Sequence, residues 1–119
     1  HLRAALELVP SDASVVLALG RLAEERGDTR DAFQTYRHAA DLNPGNPAGL
    51  LSAARLALRE RRSALATGFL DRLLQRHAEY APALELYGDA LVASGDPSAA
   101  RGFYERALRG NGEVDAGAP

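Results

Sequence analysis

Residues Val15–Pro44 read VVLALGRLAEERGDTRDAFQTYRHAADLNP, two apolar runs at helical spacing divided by Gly27-Asp28. Val16, Leu19 and Ala23 in the first run, and Ala32, Tyr36 and Ala39 in the second, lie three or four residues apart, as on one buried helix face. Working outward, the same residues return at a fixed step. Gly20, Ala54 and Gly88 are 34 apart, as are Ala32, Ala66 and Ala100, then Tyr36, Leu70 and Tyr104, then Ala39, Leu73 and Ala107, and also Val16, Leu50 and Leu84. A constant period of this length predicts a repeat array in which stacked neighbours share a continuous core. No segment calls for a strand.

The punctuation sets the limits. First helices are expected at about 13–26, 47–60 and 81–94, and second helices at about 30–42, 63–76 and 98–109. Asp12 and Asp96 stand as N-caps, and Pro82 and Pro97 suit opening turns, where a missing N–H leaves no bond unmade. Gly27 and Gly95 follow first helices, where a left-handed residue ends a helix at little cost. Asn43–Pro47, NPGNP, breaks the chain between repeats.

On these residues the chain resembles the tetratricopeptide repeat family. The first repeat carries its pattern at Val16, Leu19, Gly20, Ala23, Gly27, Asp28, Ala32, Tyr36, Ala39 and Pro44, and the third carries it again in ALELYGDALVASGDPSAARGFYERAL. The middle repeat departs most, with Ala54 for the glycine, Arg61 and Arg62 for Gly-Asp, and Ala78 for the proline. The resemblance implies an all-α, right-handed α-solenoid of antiparallel helix pairs. It also implies a noncatalytic role in binding proteins or peptides, with first helices lining a concave groove.

The organisation expected is one solenoid domain: 1–10 as the second helix of an incomplete preceding repeat, 13–46 as repeat one, 47–80 as the divergent repeat two, 81–110 as repeat three, and 111–119 as a flexible tail. Ala5 and Pro10 lie 34 before Ala39 and Pro44, so the array is expected to be a fragment of a longer one. The tail, GNGEVDAGAP from Gly110, has too little apolar area to offset an ordering entropy of roughly 1–2 kcal/mol per residue.

Composition narrows the function. The 119 residues carry a formal net charge of −2, which removes the global attraction for polyphosphate that nucleic-acid binders use, so no nucleic-acid partner is expected. All fourteen Lys+Arg residues are Arg, and Ile, Met, Cys and Trp are absent, a bias pointing to a GC-rich, bacterial source. Without Cys there is no thiolate metal site or disulfide, and oxidising and reducing compartments stay equally open. No apolar run approaches the roughly 18–20 residues of a membrane span, so direct insertion by this segment is not expected.

Neither a cofactor nor an enzymatic site is expected. His1, His38 and His77 form no close pair for a metal, and no Ser has a His and carboxylate beside it in sequence. The lone GNG of the tail marks flexibility rather than a phosphate loop, which needs a strand before it and a helix after. Tyr36, Tyr87, Tyr104, Phe33, Phe69 and Phe103 could be stacking platforms for single strands, but they fall mainly on expected core faces.

At 100° per residue, the face opposite the core stripe collects Leu17 and Arg21 in repeat one, Leu51, Ser52, Arg55, Leu58 and Arg59 in repeat two, and Glu85 and Asp89 in repeat three. These are the candidate partner-binding residues. The leucines, with Leu86 and Val92, have no role in the hairpin core and are expected to form an apolar stripe within a polar rim; scattered leucines on a solvated face are the plainer alternative. Arginines in the first two repeats and acids in the third predict an extended peptide of reversed polarity. The family's clamp for chaperone carboxylates, built on Lys and Asn, is missing: Leu17, Arg21, Ser52, Pro82 and Leu86 hold those positions.

Arg59–Ser63, RERRS, falls where the other repeats place their Gly-Asp turns, so it is first of all a turn, with recognition of an acidic partner as the second reading. Arg61 replaces the turn glycine at a cost on the order of 1 kcal/mol if the left-handed geometry is kept. The resulting expectation is a scaffold or adaptor in a bacterial multiprotein assembly, with a protein or peptide ligand in the groove. Self-association through open solenoid ends is the alternative, and RNA binding by the Arg-rich second repeat stands behind both.

Overall fold

The computed structural model describes residues 13–117, with side chains described over 13–110. The expected helix over 1–10 and the cap at Asp12 lie outside the described residues. Six helices follow in order: α1 Ala13–Glu25, α2 Thr29–Leu42, α3 Ala48–Arg59, α4 Ser63–Arg76, α5 Ala81–Ala93 and α6 Pro97–Gly117, with no strand among the described residues. Each helix packs on its neighbours in sequence, and α3 also meets α5. The 21 Å thickness matches two layers of helices, each about 10–12 Å across.

Three turns close the three hairpins with one geometry. In the first, the Gly27 N–H donates to the Glu24 carbonyl and the Asp28 N–H to the Ala23 carbonyl, at 3.0 and 2.9 Å. Arg61 and Arg62 repeat this on Leu58 and Ala57, and Gly95 and Asp96 on Val92 and Leu91. The left-handed residue has φ of +78° at Gly27, +60° at Arg61 and +92° at Gly95. This double bond satisfies carbonyls that the helix end leaves open. Arg61 therefore keeps the turn of its neighbours and carries the strain of a Cβ there.

The following caps differ. Asp28 Oδ1 accepts from the Asp31 N–H and Asp96 Oδ1 from the Ala99 N–H, whereas Arg62 offers α4 no side-chain cap. Arg62 instead lies over the Phe33 ring, 5.7 Å from its centroid, and Phe33 stacks on Phe69 at 6.1 Å. Beside its own backbone bonds, the middle turn thus gains a contact with α2 in place of the aspartate cap.

Close approach explains the glycines inside helices. A Cβ on Gly20 would stand 2.5 Å from Tyr36 Cε1, and one on Gly88 would stand 2.5 Å from Tyr104 Cε1. The tyrosine ring across the hairpin sets the limit. Repeat two pairs Ala54 with Leu70 at the same register, both fully buried, so a smaller partner leaves room for a methyl group. Gly49 works between repeats: its Cβ would meet the backbone of α2 at 2.8 Å, at Ala40 N and Tyr36 O. Ala83 holds that register one repeat later, so the backbones at the first seam meet unusually closely.

At the C-terminus α6 runs on to Gly117, past the helix end expected near 109 and into the segment expected to be a flexible tail. Extending an existing helix avoids the cost of nucleating one, and no proline stands between Pro97 and the last helical residue.

Candidate functional site

The candidate groove is formed by α1, α3 and α5, which bring residues 34 apart in sequence to adjacent positions. Arg21, Arg55 and Asp89 share one register on these helices, and all three are exposed. Arg59 and Glu85 are exposed as well, and Ser52 is half-buried. The apolar stripe differs from expectation. Leu17 and Leu51 are 9% and 6% exposed and belong to the core cluster, and Leu58 and Leu86 pack against it. Val92 remains exposed. A first helix meets its hairpin partner on one side and its neighbouring repeats on others, so a wheel drawn for one hairpin assigns too few positions to the core.

What remains on the face is mainly charge, much of it tied internally. Glu24, which the site reading left out of its binding set, is the centre of the tie. It accepts a hydrogen bond from the Tyr36 hydroxyl and pairs with Arg59 from the next repeat. Asp89 accepts from the Tyr104 hydroxyl at 2.6 Å. A shallow cleft of about 250 Å³ is lined by Arg21, Glu24, Glu25 and Arg59. Arg21 and Arg55 make no ion pair among the described residues. Tyrosines at a repeat register, facing acids on the first helices, were the available signal for these ties.

These contacts tune the phenols. Burial, then the hydrogen bond and charge of Glu24, raise the Tyr36 hydroxyl well above the ordinary value near 10. The hydrogen bond to Asp89 is the first cause that pushes Tyr104 up to about 12. Burial, followed by hydrogen bonding to Asp71, raises Tyr87 as well. Each phenol is held neutral as a donor, which suits a structural strut and not a nucleophile. Among the described residues no three His, Asp or Glu gather as metal ligands, and no helix is long and apolar enough to cross a membrane.

The aromatic residues divide between core and rim. Phe33, Phe69 and Tyr36 are buried, Tyr87 and Phe103 are half-buried and stacked with centroids 4.3 Å apart, and Tyr104 is exposed. No row of open rings for stacking bases is found among the described residues.

This arrangement, stacked helix hairpins on a 34-residue period, defines a helical-repeat protein. The tetratricopeptide repeat model matches residues 1–47 and 51–116, and the chain belongs to that family. It is 30% identical over 112 residues to tetratricopeptide repeat protein 7A of Homo sapiens, a match covering 94% of this chain and 13% of that protein. It is also 38% identical over 66 residues to the cellulose synthase operon protein C of Pseudomonas fluorescens (strain SBW25), covering 56% of this chain and 5% of that protein. The chain thus spans a small part of either relative. Among solved structures, the MamA protein superposes with a TM-score of 0.83 at 14% identity, over 99% of this chain and 64% of that one. The first repeat domain of Spaghetti (RPAP3), bound to the HSP90 peptide SRMEEVD, superposes with a TM-score of 0.74 at 24% identity, over 82% of this chain and 78% of that one.

Proposed function

We propose that this chain is a noncatalytic interaction module that holds an extended peptide of mixed charge along α1, α3 and α5. The observation that carries the reading is the contrast between tied and untied charges on the first helices. Glu24 and Asp89 are occupied by tyrosine hydroxyls, while Arg21 and Arg55 on neighbouring helices lack a carboxylate partner among the described residues. Acidic residues of a ligand would face these two arginines, and a basic residue would face exposed Glu85. Peptide specificity here rests on charge, since Leu17 and Leu51 are committed to the core.

The RPAP3 domain holds an acidic HSP90 peptide, which makes an acidic segment a reasonable class of ligand for this groove. The Lys and Asn of a chaperone clamp are still missing, so the ligand is a different acidic peptide. We place the module as an adaptor in a bacterial multiprotein assembly, on the strength of its Arg-only basic composition and the Pseudomonas relative.

The test is an array of acidic, basic and mixed-charge peptides read against the chain and its Arg55→Glu variant. An acidic or mixed class that binds the chain and weakens about tenfold in the variant supports the reading, since a charge-assisted contact is worth about 1.5–3 kcal/mol. Equal binding by both proteins, or no preference for acidic sequences, refutes it. Self-association through the α6 end is a second reading, favoured by the 73% exposure of Leu108; sedimentation that does not change with concentration would refute that one.

A further inference from the structure

A cavity lies away from the groove, at the seam where repeats one and two meet. Its volume is about 550 Å³, within the range of about 300–1,000 Å³ typical of ligand sites. Leu50 and Leu73 give it an apolar floor, and Asp41, Arg72, Arg76 and His77 line it from the ends of α2 and α4. From α3 it takes Leu50 and none of Leu51, Ser52 and Arg55.

The seam between repeats two and three serves as an internal control, because Arg106 lies 34 residues after Arg72. There Arg106 is fully engaged: its Nη2 donates to Glu79 Oε2 at 3.0 Å and to the Ala78 carbonyl at 3.3 Å, and the guanidinium lies over Phe103. At the first seam Gly45 holds the place of Glu79, and the carboxylate is gone. Arg72 is left with Asp41 at 3.6 Å, and Arg76, one turn on and exposed, has no ion pair among the described residues. His77, which lines the same cavity, has a buried Nε2 without a hydrogen-bond partner among the described residues, although buried polar atoms are ordinarily paired.

We infer that this seam cavity is a second binding site, for a carboxylate borne on an apolar group, which takes the position against Arg72 and Arg76 that Glu79 takes against Arg106. A leucine-like side chain beside an acidic group fits both halves of the lining. The carboxylate can come from a Glu side chain or from a chain terminus. The inference is independent of the groove and survives its failure.

The experiment is amide NMR titration of the whole chain with two probes, N-acetyl-Leu-Glu-amide and N-acetyl-Gly-Leu with a free terminus. Saturable shifts at Ala40, Leu50 and Gln75 are expected with at least one of them, and which one responds identifies the source of the carboxylate. The Gln analogue of the first probe and the amide of the second are expected to bind about tenfold more weakly. Gly45→Glu restores the internal carboxylate and is expected to abolish the shifts without lowering the unfolding midpoint, since a Cβ at Gly45 meets only Asn43 Oδ1 at 3.7 Å. Arg76→Gln, on an exposed position, is expected to weaken binding about tenfold and provides a second reading if Gly45→Glu folds poorly. No saturable shift with either probe, equal response to the neutral analogues, tighter binding of inorganic phosphate, or binding unchanged in a folded variant overturns the inference.

Discussion

Replacing Gly20 by Ala should destabilise this protein, although Ala is the better helix former. The new Cβ would lie 2.5 Å from Tyr36 Cε1, against about 3.5–4.0 Å for ordinary carbon contact, so roughly 1 Å of displacement is needed. Tyr36 is 1% exposed and its hydroxyl is tied to Glu24, so the ring has nowhere to retreat. Overpacking of this kind costs about 1–3 kcal/mol, and a clash this short belongs near the upper end. Against it stands a propensity gain of about 0.5–1 kcal/mol, leaving a net loss of about 2 kcal/mol. Gly68→Ala is the control, because Gly68 lies within α4 and a Cβ there meets nothing within 4 Å; it should gain about 0.5–1 kcal/mol. Tyr36→Leu alone leaves a cavity, but combined with Gly20→Ala it reproduces the Ala54–Leu70 pair of repeat two. The double variant should therefore be more stable than the sum of the single changes by at least about 1 kcal/mol. Urea unfolding followed by circular dichroism gives all four corners of the cycle. If Gly20→Ala stabilises as Gly68→Ala does, or if the two changes add within about 0.3–0.5 kcal/mol, the ring does not set the glycine.

Two further outcomes are expected. Arg61→Gly should raise stability by about 1 kcal/mol by relieving the left-handed strain at φ +60°, and an unchanged or lower urea midpoint would count against that strain. Asp89→Asn should bring Tyr104 down from about 12 toward 10 in a spectrophotometric difference titration. The sign for stability follows from a neutral donor whose folded value is raised: its contribution is full below pH 10 and is lost as pH rises through about 12. The wild type should lose more stability than the variant across that window, and a variant titrating like the wild type would show that Asp89 does not hold the phenol.

The repeat was legible because it is local. Each helix has its own apolar face, each hairpin its turn, and the 34-residue step writes them again, so Val16, Leu84 and Leu70 could be assigned to the core from spacing. The turn at Arg61 was legible for a different reason: its register fixed its place although its residues did not favour it. Leu17 and Leu51 were not legible as core, because their burial depends on how neighbouring repeats pack, which a wheel drawn for one hairpin does not contain. The tie of Glu24 to Tyr36 and Arg59 needs three helices at once, and the role of Gly49 needs the approach of two backbones across a seam.

Periodicity, caps and breaks are properties of short windows, and by themselves they determined the helices, their pairing and the family of this protein. The sequence also set which charges stand at each register. Tertiary structure decided which of those charges are spent internally and which stay open, because the same arginine register meets Glu79 at 3.0 Å at one seam and only Asp41, at 3.6 Å, at the other. Stacking geometry brings such residues into reach of one another, and so it, rather than composition, selects the surfaces left for a partner.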